Sequence, residues 1–436
     1  LNSASIKHHQ LLAQLVSLSV IFLLPFGRSS EVPFAIGSVV CIIWLVQGKI
    51  QWRTDSRIHL FFALFTCYWL AAFFSGFGAV APEKTWETIL VIFRFLFFGL
   101  FFINSLDDEK NNRWLQNGVA LIISLWLIDA WIQIFTGYSL GGSAEKERLS
   151  GIFGADNLKL GPVLAVLSPF FLLSARQHFG RFGLTTAFFI LLVPILMAGS
   201  RASWISFGLV CVILAWRETR APLRFLSSVA GVAIVSAVAI QVAPPVFPGF
   251  HARIERSLLV LQGTHDAIDD AASGRLRIWR TAWEMGAAHP LTGVGVRGFR
   301  YAYAGYSQPD DGFVNVVTKE GASHAHQLLL ELWSETGIMG VLCWIIAASL
   351  AIAAWRRASK MTRDRALAPA LALVAMCFPL NTHLAFYSAW WGLLFWWLVM
   401  FYCRTLQPMY STLLITLGCV AKLFRGEDVR ERRPRW

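Results

Sequence analysis

Charge is scarce in this chain: of its 436 residues only 15% are Asp, Glu, Lys or Arg, while 56% are hydrophobic. An ordinary soluble domain carries about a quarter charged residues, so a soluble globular fold is excluded. Strand-like alternation is also missing. Only helices and closed barrels satisfy their backbones in hydrocarbon, so helices remain. The cysteines (41, 67, 211, 343, 377, 403 and 419) are odd in number and lie in or against apolar segments. That argues against a disulfide framework and for small core residues. No internal repeat or low-complexity tract is visible, and no lysine completes a P-loop. Asp269-Asp270 and Asp310-Asp311 lack a matching histidine array, and His324 with His326 is too little for a metal site. No metal and no cofactor is expected.

What the chain has in abundance is apolar runs near the roughly 20 residues that cross a bilayer core. About 12 spans are predicted, at 11–26, 32–47, 58–77, 86–103, 114–135, 152–174, 182–199, 202–217, 225–243, 338–355, 366–385 and 386–403. The first follows a short polar head with no small-residue cleavage site and is read as retained. Basic residues orient them. One side collects Lys7, Lys49, Arg53, Arg57, Lys110, Arg113, Arg176, Arg181, Arg217, Arg220, Arg224, the run Arg356–Arg365 and the basic tail from Arg404 to Arg435. The short loops of the other side hold Arg28, Lys84, Lys146, Arg148 and Arg201. Both termini are therefore expected in the cytoplasm. The net charge of +12 is mostly an orientation signal that needs no nucleic acid to explain it.

The domain plan that follows is all-α. Residues 1–243 hold spans one to nine and 244–337 form one large, mostly helical outward loop. Residues 338–405 hold spans ten to twelve, and 406–436 are a basic cytoplasmic tail. The two signs of charge balance across that loop, Glu331 and Glu335 aside, so it is no generic cationic patch. Its end, SHAHQLLLELWSETG (323–337), predicts a helix capped by Ser323 and broken by Gly337. Glu331 and Glu335 are costly in hydrocarbon. This helix is therefore expected outside the membrane or on its surface, with Leu328–Leu330 and Leu332–Trp333 against lipid.

Basic residues punctuate the outward side. Arg201 stands in MAGSRASW between two spans, where an interfacial snorkelling role and a functional one are both open. Arg275, Arg277 and Arg280 come from SGRLRIWR, the start of a helix expected to run to His289-Pro290. A helix N-terminus with arginines suits an anion, although solvated charges on an amphipathic helix fit too. PLTGVGVRGF supplies a glycine-rich turn and Arg297. Lys159 and Arg94 lie inside apolar stretches and should face a cavity or a partner; plain inter-helix glue is equally open. Guanidinium forks at an outward membrane interface suit a phosphate-bearing lipid. A neutral histidine could take a proton from an alcohol, and arginine charge could replace a general acid for a diphosphate leaving group.

These residues together resemble a family. His326-Gln327, nine residues, Gly337 and then Gly340 match the signature H-[N/S/Q]-x9-G-x-x-[small] of the O-antigen ligase and polymerase superfamily. GSRAS around Arg201, SGRLRIW around Arg275 and HPLTGVG at 289–295 follow the family's order. The motifs cover about 150–345. The resemblance implies an inner-membrane, metal-independent glycosyltransferase with a C-type, polytopic fold and a periplasmic loop. It would move a polysaccharide from undecaprenyl diphosphate to the lipid A-core oligosaccharide with inversion. Carried over, His326 would be the base on the acceptor hydroxyl, with His324 an alternative, and Arg201 and Arg275 would grip the diphosphate. Arg148, Lys159, Arg277, Arg280, His324 and Arg297 are further candidates for holding donor or acceptor. Rival readings are the O-antigen polymerase, an O-linked protein glycosyltransferase and, in another class, a transporter of lipid-linked sugars. The long loop between spans nine and ten favours the ligase.

Overall fold

The computed structural model describes residues 3–50, 55–105, 109–143, 148–154, 157–222, 226, 230–231, 273–315, 317–382 and 384–406. Most of the expected ninth span, loop residues up to 272 and the tail from 407 lie outside them. Helices dominate. In chain order they are α1 (Ser3–Phe22), α2 (Glu31–Val46), α3 (Ser56–Ser75), α4 (Pro82–Val91), α5 (Phe93–Ser105) and α6 (Glu109–Thr136). Then come α7 (Leu160–Met197), α8 (Arg201–Thr219), α9 (Arg275–Ala288), α10 (Phe299–Ala302), α11 (Leu328–Arg357), α12 (Lys360–Arg365), α13 (Leu367–Cys377) and α14 (Ala389–Thr405). Among the described residues one hairpin pairs Tyr138–Ser139 with Gly142–Ser143.

Five helical stretches among the described residues are long and apolar enough to cross a membrane: 56–78, 82–105, 110–136, 160–197 and 328–357. This is a multi-pass, all-α membrane protein. Shorter apolar helices, such as Glu31–Val46 and Leu367–Cys377, account for much of the gap to about 12. At about 1.5 Å of rise per residue they fall short of a full bilayer core. The stretch expected as spans six and seven, α7, is two helices that meet at a kink at Gly180 (φ 66°, ψ −152°), where the split was expected.

Lipid offers helices little hydrophobic reason to associate, so close packing and polar contacts must hold them. Here that packing is aromatic. Trp396 of α14 meets Phe61, Phe65, Tyr68 and Phe95, and Trp397 meets Phe102 and Phe170. Gly99 gives the Phe61 ring its place; a Cβ there would collide with it. The cysteines among the described residues are free thiols, with Cys41 and Cys403 fully buried. Arg94 is inter-helix glue: its guanidinium pairs with Glu31 at 2.8 Å, joining α5 to α2.

Two expectations at the end of the outward loop are corrected. The helix starts at Leu328, not Ser323, and its cap is Gln327, whose side-chain oxygen accepts from Leu330 N at 2.6 Å. A helix from Ser323 would need helical dihedrals at His326, which instead has φ 54°. Nor does its first half lie on lipid. Leu328, Glu331, Leu332, Ser334 and Glu335 are all buried, because α3 and α9 pack against it.

Gly337 (φ 60°, ψ −158°) does break α11, and the break is stitched from outside. A continuous helix would join the amides of Ile338 and Met339 to the carbonyls of Ser334 and Glu335. Those carbonyls instead accept from Val294 N and Gly295 N at 2.8 and 3.0 Å. The released amides donate to Pro290 O and Leu291 O at 2.8 and 3.4 Å. The HPLTGVG segment thus satisfies these four backbone groups, as a low-dielectric surrounding demands. A Cβ on Gly337 would strike the Leu291 backbone, and one on Gly293 the Glu335 backbone.

The expected span 366–385 is also corrected. Helix α13 stops at Cys377, before Pro379, and the described residues between it and α14, 378–382 and 384–388, are not helical. Irregular backbone at this depth survives only when buried in protein, and Leu384 through Tyr387 are buried. Asn381 Nδ2 donates to Ala375 O and Met376 O, closing the end of α13.

Candidate active site

The chain on the N-terminal side of α11 and the buried residues Asn381 and Thr382 meet at His326. Its Nδ1 lies 2.9 Å from the Thr382 carbonyl oxygen, which can only accept. Nδ1 therefore carries the proton, and the neutral ring presents a bare Nε2. Burial, with a smaller push from the Arg275 charge, lowers the pKa of His326 to about 4. The ring is thus a neutral proton acceptor at physiological pH. Its left-handed backbone, unusual for a non-glycine residue, turns it away from the helix it precedes. His324 stacks obliquely on it at 3.9 Å between ring centroids, with Nδ1 2.9 Å from Ser323 Oγ.

Arginines gather beside this ring. Arg275 opens α9 after Gly274 in the left-handed region. Burial first, then the charges of Arg201 and Arg148, push its pKa down to about 10. Arg201 opens α8, whose cap Ser200 accepts from Ser203 N, and donates to Ser273 Oγ at 2.6 Å. Arg148 comes into range through its neighbour, since Leu149 N donates to Met197 O at the end of α7. Gln133 Oε1 then holds the amides of Ser150 and Gly151. Among the described residues no carboxylate is paired with Arg148 or Arg275. Gathered like charges of this kind create a standing demand for an anion.

Other basic residues sit apart. Arg280 pairs with Glu284 one turn on, at 2.9 Å and largely exposed, as a solvated helix face would. Arg277 is exposed, and its charge acts on Tyr303. Lys159 lies over the Trp390 ring at 4.3 Å, a cation–π contact. Arg297 acts on two buried carboxylates, Glu331 and Glu335. Thr382 is the site residue that sequence reasoning missed. Asn381-Thr382-His383 is a polar break in an otherwise apolar stretch, and it was the available signal. Below the site an apolar cavity of about 240 Å³ is lined by Tyr68, Trp344, Phe386, Tyr387, Trp396 and Tyr402, among others. Among the described residues no three His, Cys, Asp or Glu side chains converge as a metal site.

Residues 186–345 match the family model described as O-antigen ligase. That stretch of the chain is similar to the O-antigen ligase family. The matched O-antigen ligase region spans Arg201, Arg275 and His326 and leaves Arg148 and Lys159 outside it. No curated protein matches the chain.

Proposed function

We propose that this protein is an O-antigen ligase superfamily glycosyltransferase of the Gram-negative inner membrane. It moves polysaccharide from undecaprenyl diphosphate to the lipid A-core oligosaccharide on the periplasmic face. The observation that carries this reading is a neutral histidine with a bare Nε2 beside the Arg148–Arg201–Arg275 cluster. An acceptor hydroxyl gives its proton to His326 Nε2 while its oxygen bonds to the anomeric carbon of the donor sugar. The bond from that carbon to the diphosphate breaks with inversion, and the diphosphate leaves with the electron pair. Arginine forks stabilise the charge that develops on it. The apolar cavity fits part of a lipid chain. Both termini are cytoplasmic by the basic-residue asymmetry.

The transporter alternative has little left to use. Its two intramembrane cations are engaged, Arg94 with Glu31 and Lys159 on Trp390. The experiment is complementation of a related strain lacking its own ligase, read as the ladder of long lipopolysaccharide on a gel. Return of the ladder is expected. If a polymerase-deficient strain regains long chains and the ligase-deficient one does not, the acceptor has been misassigned.

The pH dependence follows from the histidine. Lowering the pH adds a proton to Nε2 and removes the base. Burial and Arg275 both oppose that second charge, so the acid limb of kcat/KM should lie near pH 4 instead of at the ordinary 6.5. Transfer assayed from pH 4 to 8 on purified protein checks this. A limb centred near 6.5 would mean an exposed imidazole and sink it.

A further inference from the structure

Glu331 is fully buried in the first turn of α11, five residues after His326. Its Oε1 accepts from Phe386 N at 2.8 Å and from Tyr387 N at 3.4 Å. Those two amides end the non-helical segment whose other end is fixed by Asn381 to the last carbonyls of α13. Tyr68 Oη donates to Phe386 O at 3.1 Å and closes the same corner. Between the two fixed ends lies Thr382, whose carbonyl receives His326 Nδ1–H. Helix α11 thus holds both partners of that bond: the histidine through the turn at its N-terminus, and the carbonyl through the Glu331 clamp.

We propose that Glu331 is a positioning residue for transfer, acting through the 381–387 segment to keep the Thr382 carbonyl on His326 Nδ1. That contact selects the tautomer with Nε2 free and aims the ring. Its loss lets the imidazole rotate or exchange tautomers, so fewer encounters meet a lone pair in line with the acceptor hydroxyl. The inference rests on the reading of His326 as the base. A carboxylate is not required for it; an oxygen at that reach is. Orientation of a reacting group to within about 1 Å can decide a rate by about 100-fold.

Two substitutions separate the reach of the oxygen from the carboxyl group. Glu331→Gln keeps a carbonyl oxygen at the same reach, whereas Glu331→Asp keeps the carboxyl group and withdraws it by one methylene. Both are to be purified in detergent with wild type and His326→Ala. They are then assayed with undecaprenyl diphosphate-linked O-antigen and rough lipopolysaccharide, with rates normalised to monodisperse, thermally stable protein. The expected result is a Glu331→Gln variant within about fivefold of wild type in kcat. Glu331→Asp should lose about 10-fold or more in kcat with the donor KM nearly unchanged. A merely structural role would lower thermal stability and leave kcat per folded molecule intact, and that outcome overturns the proposal. So does the opposite order, Asp active and Gln inactive, which would make the carboxyl group itself the requirement. Should His326→Ala retain full transfer, the base assignment fails and the positioning role falls with it. A clean loss in His326→Ala with both Glu331 variants at wild-type rate overturns the positioning role alone.

Discussion

His326→Ala should abolish detectable transfer, a loss of about 10²–10⁴-fold for a general base, while the diphosphate-linked donor still binds. The separation is expected because the imidazole and the guanidinium groups do different work. Nδ1 is committed to the Thr382 carbonyl, so the free Nε2 is the atom that can accept a proton. Alanine removes it and leaves Arg148, Arg201 and Arg275 in place. Donor retention is measured with labelled undecaprenyl diphosphate on purified protein, and transfer by the lipopolysaccharide ladder. His324, at 3.9 Å between ring centroids, is the one neighbouring imidazole among the described residues that could substitute. A His326→Ala protein that still transfers would move the base to it.

Arg275→Lys should cost the second-largest amount, and Arg201→Lys slightly less. Lysine preserves the charge but presents a single ammonium where the fork offers paired donors. Losing one charge-assisted hydrogen bond of about 1.5–3 kcal/mol corresponds to about 10–100-fold in kcat/KM. Arg275 is the more sensitive because burial and two neighbouring arginines already destabilise its charge. It therefore gains most from an incoming anion. Arg201 shares its guanidinium with Ser273 Oγ, which positions it before any donor arrives. Initial rates against donor concentration test this, and full activity in both lysine variants would rule out paired recognition.

Some of the site was legible in the chain. His326, Arg201 and Arg275 stand out because charge is scarce, so each polar interruption of an apolar run carries information. Gly337 was legible as a break for the same reason. The destination of the broken helix was not. Sequence reading placed Glu331 and Glu335 at a membrane surface because ionised carboxylates are costly in hydrocarbon. The structure offsets part of that cost at one oxygen of each: Glu331 Oε1 receives two amides from 386–387 and Glu335 Oε1 receives Phe299 N at 3.4 Å, with Arg297 acting on both. These amide partners lie 36 to 56 positions away along the chain, and helical periodicity carries no record of such pairings.

The sequence by itself carried the apolar, multi-pass character of this protein and its helical class, and it supplied the expected orientation and the candidate side chains. Those follow from composition and local order, since hydropathy and charge act residue by residue. Only the tertiary structure decided which nitrogen of His326 is bare, that Arg148 joins Arg201 and Arg275, and that α13 ends at Cys377 with the buried residues Leu384 through Tyr387 outside any helix. Each of these depends on a hydrogen bond or a charge met across the fold. In a low-dielectric interior such a contact outweighs local preference, because a buried polar group left without a partner costs more than an unusual backbone.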